Sequence, residues 1–416
     1  MANTTTPSTG PLLLRDVRLI DGTGVPGRPG TAVLIDRGRI EWIGPDNHAP
    51  DVPADAEIHG GGRTLLPGLI NSHVHLCNDG SADFSAQIAS DTVPLAALRA
   101  GKMAALTLQA GVTSVRDCGA ASGIVLDLAR AVEEGWIIGP RIVAAGRVIT
   151  MTGGHGHFIG READGVDEVR RATRAEIKDG AHFIKVMATG GVLTAGVDPA
   201  NPALTVEELA VVAQEAHNSG RRVATHAIGT AGIRNALLAG IDSIEHGLRL
   251  DDETLQLALD RGAFLVPTLL AVARIVEAGV EKGIPSWVVA KAEKEAANSR
   301  ESFVAAVQSG LKIAAGTDAG TPYNGHDDLS QELALMVRYG LSPMQALVAA
   351  TRNAAENMDI LHAVGTVETG KRGDVIMVDG DPSEDITAVE RVVFVAKDGI
   401  IHRDDLPQPI PTNAAV

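Results

Sequence analysis

The sequence predicts an α/β fold: a (β/α)8 TIM barrel with a small β-sandwich domain built from both chain ends. Two observations support this. Eight short apolar segments alternate with helical patterns across the middle of the 416-residue chain, which suits a barrel of about 250 residues plus insertions. The ends, residues 11–64 and 365–403, instead consist of short alternating strands and tight turns. The barrel is therefore expected to cover residues 65–364.

The two ends of the chain carry the same pattern. Strands over 31–35 and 40–43 flank an Asp-Arg-Gly-Arg turn, and strands over 374–378 and 392–396 each run into a turn containing Asp and Gly. Because these ends enclose a different middle, we expect one sheet domain assembled from both termini. The tail 404–416 is polar and Pro-rich and is expected to be an arm or a disordered segment.

The barrel strands are expected to be short β-branched runs, since parallel strands are buried on both faces. Helices are predicted between several of them, at 205–219, 252–260 and 287–309. A doubly wound open sheet is the alternative, but no Gly-x-Gly-x-x-Gly opens a first helix. The eight predicted strands are Thr64–His75, Gly111–Asp117, Arg141–Ala145, His182–Ala188, Arg222–Ala227, Ile241–His246, Ala263–Leu269 and Leu311–Asp318.

The composition of the chain argues against several classes of binding partner and cellular location. A net charge of −16 and an aromatic content of 3% argue against nucleic acid as a partner. Two cysteines, Cys77 and Cys118, are too few for a disulfide framework. The polar N-terminus lacks the features of a signal peptide, and no run approaches the about 18 apolar residues of a membrane helix. We expect a soluble cytoplasmic protein with no membrane partner.

Histidines and an aspartate fall at the ends of four predicted strands. His73 and His75 are two residues apart on the first strand and so share a face. His226, His246 and Asp318 end the fifth, sixth and eighth strands. The C-terminal rim of such a barrel carries the catalytic residues, so these side chains are expected to converge there as metal ligands.

Lys185 lies inside the apolar fourth strand. A buried lysine is costly unless it is paired, neutral or modified. It could be a structural lysine whose ammonium reaches solvent, or a Schiff-base lysine as in barrel aldolases. Neither reading explains the histidines.

Together these residues resemble the pattern of the amidohydrolase superfamily, in the binuclear-metal type with a carboxylated lysine. The preceding Leu66-Pro-Gly-Leu-Ile-Asn-Ser segment and the β-rich ends fit as well, so the resemblance covers residues 11–403. The residues that carry it are His73, His75, Lys185, His226, His246 and Asp318.

The resemblance implies two divalent metal ions, usually Zn²⁺, bridged by an N6-carboxyl group on Lys185. Two such ions, about 3.5–4 Å apart, can share a hydroxide and polarise a carbonyl oxygen. Asp318 can then accept the proton of the attacking hydroxide and deliver it to the leaving amine. The implied ligands are His73, His75 and Asp318 for one ion, and His226 and His246 for the other.

A second motif, Thr152-Gly-Gly-His-Gly-His157, follows the third strand. It could be a flexible surface loop, but its glycines allow the backbone close to a ligand. Gly-Gly-His-Gly resembles the branch of prolidase-like enzymes, zinc carboxypeptidases and ochratoxinases. That resemblance implies that His155 contacts substrate near the scissile carbonyl as a catalytic residue, with His157 as a further candidate for substrate binding.

Ile228 departs from that branch. Many relatives carry Tyr two residues after the strand-five histidine, where it helps to hold the substrate carboxylate. Ile228 cannot donate a hydrogen bond, so a less polar amide or carbamate is favoured. Tyr323 and His326, in the loop after Asp318, could line the same pocket. Arg116-Asp117, at the end of the second strand, could contact substrate or form a structural ion pair, and we favour the ion pair.

The predicted activity is hydrolysis of a linear amide, such as an N-acyl amino acid, a dipeptide or an ochratoxin-like amide, by a metal-bridging hydroxide. The partner is then a small-molecule amide. A cyclic amide, carbamate or urea-type substrate on the same metals is the alternative. A non-catalytic scaffold should lack ligands, whereas this chain keeps all six. Because relatives are often multimeric, the resemblance also implies a homo-oligomer.

Overall fold

The computed structural model describes residues 10–407. Its strands are β1 Leu12–Leu19, β2 Arg28–Asp36, β3 Arg39–Pro45, β4 Glu57–His59, β5 Thr64–Pro67, β6 Leu69–Val74, β7 Val112–Asp117, β8 Arg141–Ala144, β9 Val148–Thr150, β10 Gly160–Glu162, β11 Ile184–Met187, β12 Val223–Ala227, β13 Ser243–His246, β14 Phe264–Val266, β15 Val375–Val378, β16 Val392–Lys397 and β17 Ile400–Asp404.

The α-helices are α1 Phe84–Ser90, α2 Val93–Gln109, α3 Ile124–Glu133, α4 Gly165–Asp179, α5 Val206–Asn218, α6 Thr230–Ala239, α7 Asp252–Arg261, α8 Leu269–Ala278, α9 Ser286–Ser309, α10 Leu329–Arg338, α11 Pro343–Ala349 and α12 Arg352–Asn357. The three helices predicted from the sequence are confirmed as α5, α7 and α9. A capping box between Thr205 and Glu208 fixes the start of α5.

The two chain ends form one mixed sheet of eight strands, ordered β17-β16-β15-β5-β1-β2-β3 with β4 paired to β1. The expected sandwich is thus a single hydrogen-bonded sheet, whose buried apolar side chains, including Leu14, Val33 and Phe394, form one cluster. Strand β5 was predicted as the start of the first barrel strand, but it pairs with β15. Strand β17 ends at Asp404, and residues 408–416 of the predicted tail lie outside the described residues.

The middle of the chain is TIM-barrel-like. Parallel sheets β6-β7-β8 and β10-β9-β11-β12-β13-β14 carry seven of the predicted strands. Backbone hydrogen bonds join them on both sides: His182 N–H to Ala144 O (2.8 Å), and Ala314 N–H to Leu265 O (3.0 Å) with Asp318 N–H to His73 O (2.8 Å). The C-terminal ends of these strands therefore face one common region.

The eighth predicted strand, 311–318, is not a regular strand. It makes an isolated parallel bridge between Ile313 and Leu265, and the adjacent Ala319 bridges Val74. The N–H of Ala315 donates to the carbonyl of Ala349, at the end of α11, rather than to a neighbouring strand. The ladder is interrupted for that reason, although the segment still lies between β14 and β6.

Within residues 10–407, none of the helices combines the length and the apolar character needed to cross a membrane.

Candidate functional site

A cavity opens at the C-terminal ends of the parallel strands. All six residues predicted as metal ligands line it, so tertiary structure brings together side chains that are up to 245 positions apart, from His73 to Asp318. The other polar groups of the lining are His155, Thr268 and Thr321, and the remaining lining residues are apolar side chains or glycine.

Three of the four candidate histidine ligands use one ring nitrogen to hydrogen-bond an acceptor of the scaffold. His75 Nδ1 donates to Gly119 O (2.8 Å) and His226 Nε2 donates to Gly190 O (2.9 Å). His73 Nδ1 donates to the carboxylate of Glu245 (2.8 Å). Because a neutral imidazole has a single N–H, the opposite nitrogen of each ring keeps its lone pair available for a metal ion.

His246 is held by a hydroxyl. Its Nδ1 lies 2.7 Å from Thr268 Oγ1, and its ring centroid is 5.1 Å from that of His73 and 4.5 Å from that of His226. The ligand atoms of His73, His246 and Asp318 all lie within 4.8 Å of one another. These three ligand atoms therefore belong to one compact cluster.

Glu245 orients His73, a role that the sequence analysis did not assign. The second oxygen of its carboxylate accepts hydrogen bonds from Arg116 Nη2 (2.5 Å) and Ser243 Oγ (2.8 Å). Arg116 also donates to Ser72 O (2.7 Å). The structural reading of Arg116 is therefore confirmed. The sequence signal that could have identified Glu245 is the polar Ser243-Ile-Glu245 pattern, whose two polar residues share a face of β13.

Lys185 and Asp318 each carry a buried polar atom without a hydrogen-bond partner in the described chain: Lys185 Nζ and Asp318 Oδ1. Lys185 is 1% exposed. Asp318 Oδ1 lies 3.3 Å from His73 Nε2 and 3.4 Å from His75 Nε2. Buried charged groups without partners are costly, so these atoms point to a ligand that completes the site.

The backbone is strained at three residues that line the cavity. His246, Asp318 and Thr268 have positive φ angles of 71°, 62° and 47°, a region of backbone conformation that residues other than Gly rarely adopt. All three residues lie at or just after strand ends, where the left-handed conformation turns the chain into the following loop. Such strain is typical of functional sites.

Burial governs the protonation of the histidines. Burial, helped by the neighbouring Lys185, lowers the pKa of His73 to about 4, and burial lowers the pKa of His155 to about 3. It also lowers the pKa values of His226 and His246. These imidazoles are neutral at pH 7, which is the form that binds metal ions.

Burial acts in the opposite direction on the two acidic groups, Asp318 and Glu245, because it favours the neutral form of a carboxyl group and so raises its pKa. Burial would raise the pKa of Asp318, but His73 and His75 beside it hold that pKa well below its usual range. Burial likewise opposes ionisation of Glu245, but the Arg116 guanidinium keeps its pKa low. Despite burial, the nearby Asp318 carboxylate raises the pKa of His75. Both carboxylates are therefore anionic at neutral pH.

His155 lies against the histidine cluster. Its ring centroid is 4.2 Å from that of His226, and its Nδ1 lies 2.8 Å from Thr194 Oγ1. A Cβ atom on Gly191 would approach its ring to 2.4 Å, so Gly191 is needed for this contact. The Nε2 of His155 is not engaged by the scaffold, and the residue lines the cavity as expected for a group that meets substrate.

Three other candidates are not in the cavity lining. His157 is exposed and its Nδ1 bonds Gly154 O (3.0 Å). Tyr323 is 39% exposed and its hydroxyl donates to Lys282 O. His326 is buried below the loop, where its Nε2 bonds Asn78 O (2.7 Å). The local backbone turns these side chains away from the site, whereas Ile228 lies in the apolar wall of the cavity.

Comparisons with known proteins agree with this geometry. The sequence pattern of the amidohydrolase family matches residues 64–403. The ochratoxinase of Aspergillus niger is 31% identical over 398 residues, which cover 88% of this chain and 81% of that protein. A solved Xaa-Pro dipeptidase with bound methionine has a TM-score of 0.87 at 33% identity, covering 94% of this chain and 99% of that one. A prolidase in complex with N-methylphosphonate-L-proline gives a TM-score of 0.87 at 31% identity, with coverage of 94% and 99%.

The chain belongs to the amidohydrolase family, and it is an enzyme that acts on carbon–nitrogen bonds. Members of this family generally use divalent metal ions. Within the family, the chain belongs to the branch of prolidases and ochratoxinases.

Proposed function

We propose that this protein is a metal-dependent hydrolase of linear amides. The observation that carries the proposal is the arrangement of unengaged ligand atoms: the free ring nitrogens of four histidines, with Lys185 Nζ and Asp318 Oδ1, all border one cavity. We also infer that the eight strand segments form a closed (β/α)8 barrel, since backbone hydrogen bonds link each segment to the next.

The residues fit two divalent ions, most simply Zn²⁺. His73, His75 and Asp318 would hold one ion, and His226 and His246 the other, with an N6-carboxylated Lys185 between them. Carboxylation would replace an unpartnered buried ammonium by an anion, which removes the desolvation problem. When bound, the two ions would polarise the amide carbonyl and would lower the pKa of water, so that hydroxide is available to attack the carbonyl carbon.

The protein's own groups supply the proton transfers. Asp318 is anionic, so its carboxylate can take the proton of the attacking water and pass it to the leaving nitrogen. His155 is neutral, and if the tautomer with Nε2–H is present, that group can donate a hydrogen bond to the carbonyl oxygen as negative charge develops. Apolar side chains around these groups limit access of bulk water.

Turnover of an amide library tests the proposal. The metal-loaded protein should release an amine from some library members, and chelated protein should release none until Zn²⁺ is restored. Elemental analysis should give about two ions per chain, and intact mass under gentle conditions should show one added CO₂, absent in Lys185→Ala. Hydrolysis that persists in fully chelated protein, or metal-loaded protein inactive on every amide, would contradict the proposal.

A further inference from the structure

One wall of the cavity is a single apolar cluster. It includes Val192 from the β11–α5 loop, Ile228 after β12, Leu248 after β13, and Val272 and Ile275 from α8. Among the described residues that line the cavity there is no arginine, and Lys185 is the only lysine. The substrate group that meets this wall finds no cation.

A second lysine lies close by, but its donors are already used. Lys291 on α9 is held under the β11–α5 loop, where its Nζ donates to the carbonyls of Gly191 (3.1 Å), Thr194 (2.7 Å) and Val197 (2.6 Å). An ammonium has three N–H groups, so this pattern leaves Lys291 none to offer to a substrate carboxylate.

The N-terminus of α8 is another feature beside the cavity that could attract an anion, and a side-chain carboxyl group of the chain itself occupies it. Glu332 on α10 is fully buried, and its two oxygens accept from the backbone N–H groups of Leu269 (2.9 Å) and Leu270 (2.7 Å). Free N–H groups at a helix start would favour an external anion. Here they are satisfied internally.

We infer that the substrate is a neutral, largely apolar amide that carries no free carboxylate beside the scissile bond. The inference rests on the proposed amide hydrolysis and names its substrate class. A carboxylate against the wall of Val192, Ile228 and Ile275 would lose its hydration without gaining a cationic side chain as its partner. An apolar group gains burial there instead.

A matched pair of substrates tests the inference. N-benzoyl-phenethylamine is neutral, and N-benzoyl-L-phenylalanine differs from it by one carboxylate. Benzoate release by the metal-loaded enzyme should favour the neutral compound by about tenfold or more in kcat/KM, because the acid must bury an unpaired charge. Equal turnover, or a preference for the acid, would overturn the inference.

A variant pair places the effect at the wall. Ile228→Arg introduces a cation and should reduce the preference for the neutral compound by about tenfold, whereas the matched Ile228→Met keeps the wall apolar and should retain the preference. An unchanged ratio in a folded Ile228→Arg protein that retains metal would count against the inference.

Binding of inert analogues separates this inference from the proposed function. Ketones with CH2 in place of the amide N–H can be titrated calorimetrically into the metal-loaded protein even if no amide is hydrolysed. The neutral ketone should bind at least about tenfold more tightly than its carboxylate counterpart. Tighter binding of the carboxylate, or no measurable binding of the neutral ketone, would overturn the inference, whereas failure of turnover alone would overturn only the hydrolase proposal.

Discussion

Each of the four candidate histidine ligands is oriented by one neighbouring residue. Glu245 fixes His73, the carbonyls of Gly119 and Gly190 fix His75 and His226, and Thr268 contacts His246. Such contacts select the tautomer and the ring orientation before a metal ion arrives. The chemistry of the site is therefore sensitive to residues that do not touch the metal.

Substitutions of Asp318 and of His155 should have different effects on the kinetics and on the metal content. Asp318→Asn removes both a ligand oxygen and the proton acceptor, so kcat should fall by about 10²–10⁴-fold and metal content should drop. His155→Ala should keep its metal and lose about 10²–10³-fold in kcat/KM if its ring stabilises the oxyanion. Steady-state kinetics with elemental analysis distinguishes them. Loss of metal from His155→Ala would show that its assignment to substrate is wrong.

Glu245→Gln should weaken metal binding without removing a ligand. The change removes the negative charge of the carboxylate, which accepts a hydrogen bond from His73 Nδ1 and forms an ion pair with Arg116. Loss of a hydrogen bond behind a ligand typically costs about 10–100-fold in metal affinity, and competition with a chelator would measure it. Glu253→Gln, at an exposed ion pair with Arg234, is the matched control. Equal metal affinities of the two variants would contradict the role of Glu245.

At the scale of elements, the β11–α5 loop joins the site to α9. Gly191 packs against the ring of His155 and Thr194 bonds its Nδ1, while Lys291 holds the backbone of both residues. The position of His155 thus depends on a helix that contributes no predicted catalytic group. Loops that carry functional side chains need this support, since they lack regular backbone pairing.

Lys291→Met should loosen this loop. Three hydrogen bonds to carbonyls are lost while the aliphatic stem remains, so kcat/KM should fall by about tenfold with metal content unchanged. Arg300→Met changes an exposed cation on the same helix and serves as control. The loop model of His155 positioning would be rejected if the two variants had the same kinetics, or if Lys291→Met lost metal instead.

At the scale of the whole molecule, the histidine cluster makes folding sensitive to acid. Burial lowers the pKa values of His73, His155, His226 and His246, while unfolded histidines titrate near 6.5. Below that pH the unfolded chain binds more protons than the folded chain, so stability is lost as the pH falls. His75, whose pKa is raised, and Glu332, whose pKa burial raises to about 8, oppose this trend, but they are fewer than the four histidines.

The Tm should therefore decrease from pH 7 to pH 5. Metal loading should raise the Tm, and this increment should shrink over the same range because protons compete for the ligand nitrogens. Differential scanning calorimetry of loaded and chelated protein measures both effects. His48→Gln, at an exposed position, should follow the parent curve. A Tm that stays constant or rises on acidification would contradict this account.

The class of fold and the set of candidate ligands could be predicted from the sequence by itself. Alternating apolar segments and helices predict parallel strands, and polar residues at strand ends predict a shared rim, because both follow from local periodicity and chain order. His73, Lys185 and Asp318 could be selected in this way. The family resemblance rested on the same residues, and the match over residues 64–403 confirms it.

Only the tertiary structure decided which neighbouring polar residues face the cavity. His155 enters it and His157 does not, although both belong to one glycine-rich motif. Glu245 became visible only through its contacts with His73 and Arg116. Side-chain direction in loops depends on φ angles and on long-range partners, and neither has a period along the chain. That is why seven of the barrel strands were predictable. The apolar wall, the lysine whose donors bond to the loop and the helix terminus occupied by Glu332 were not.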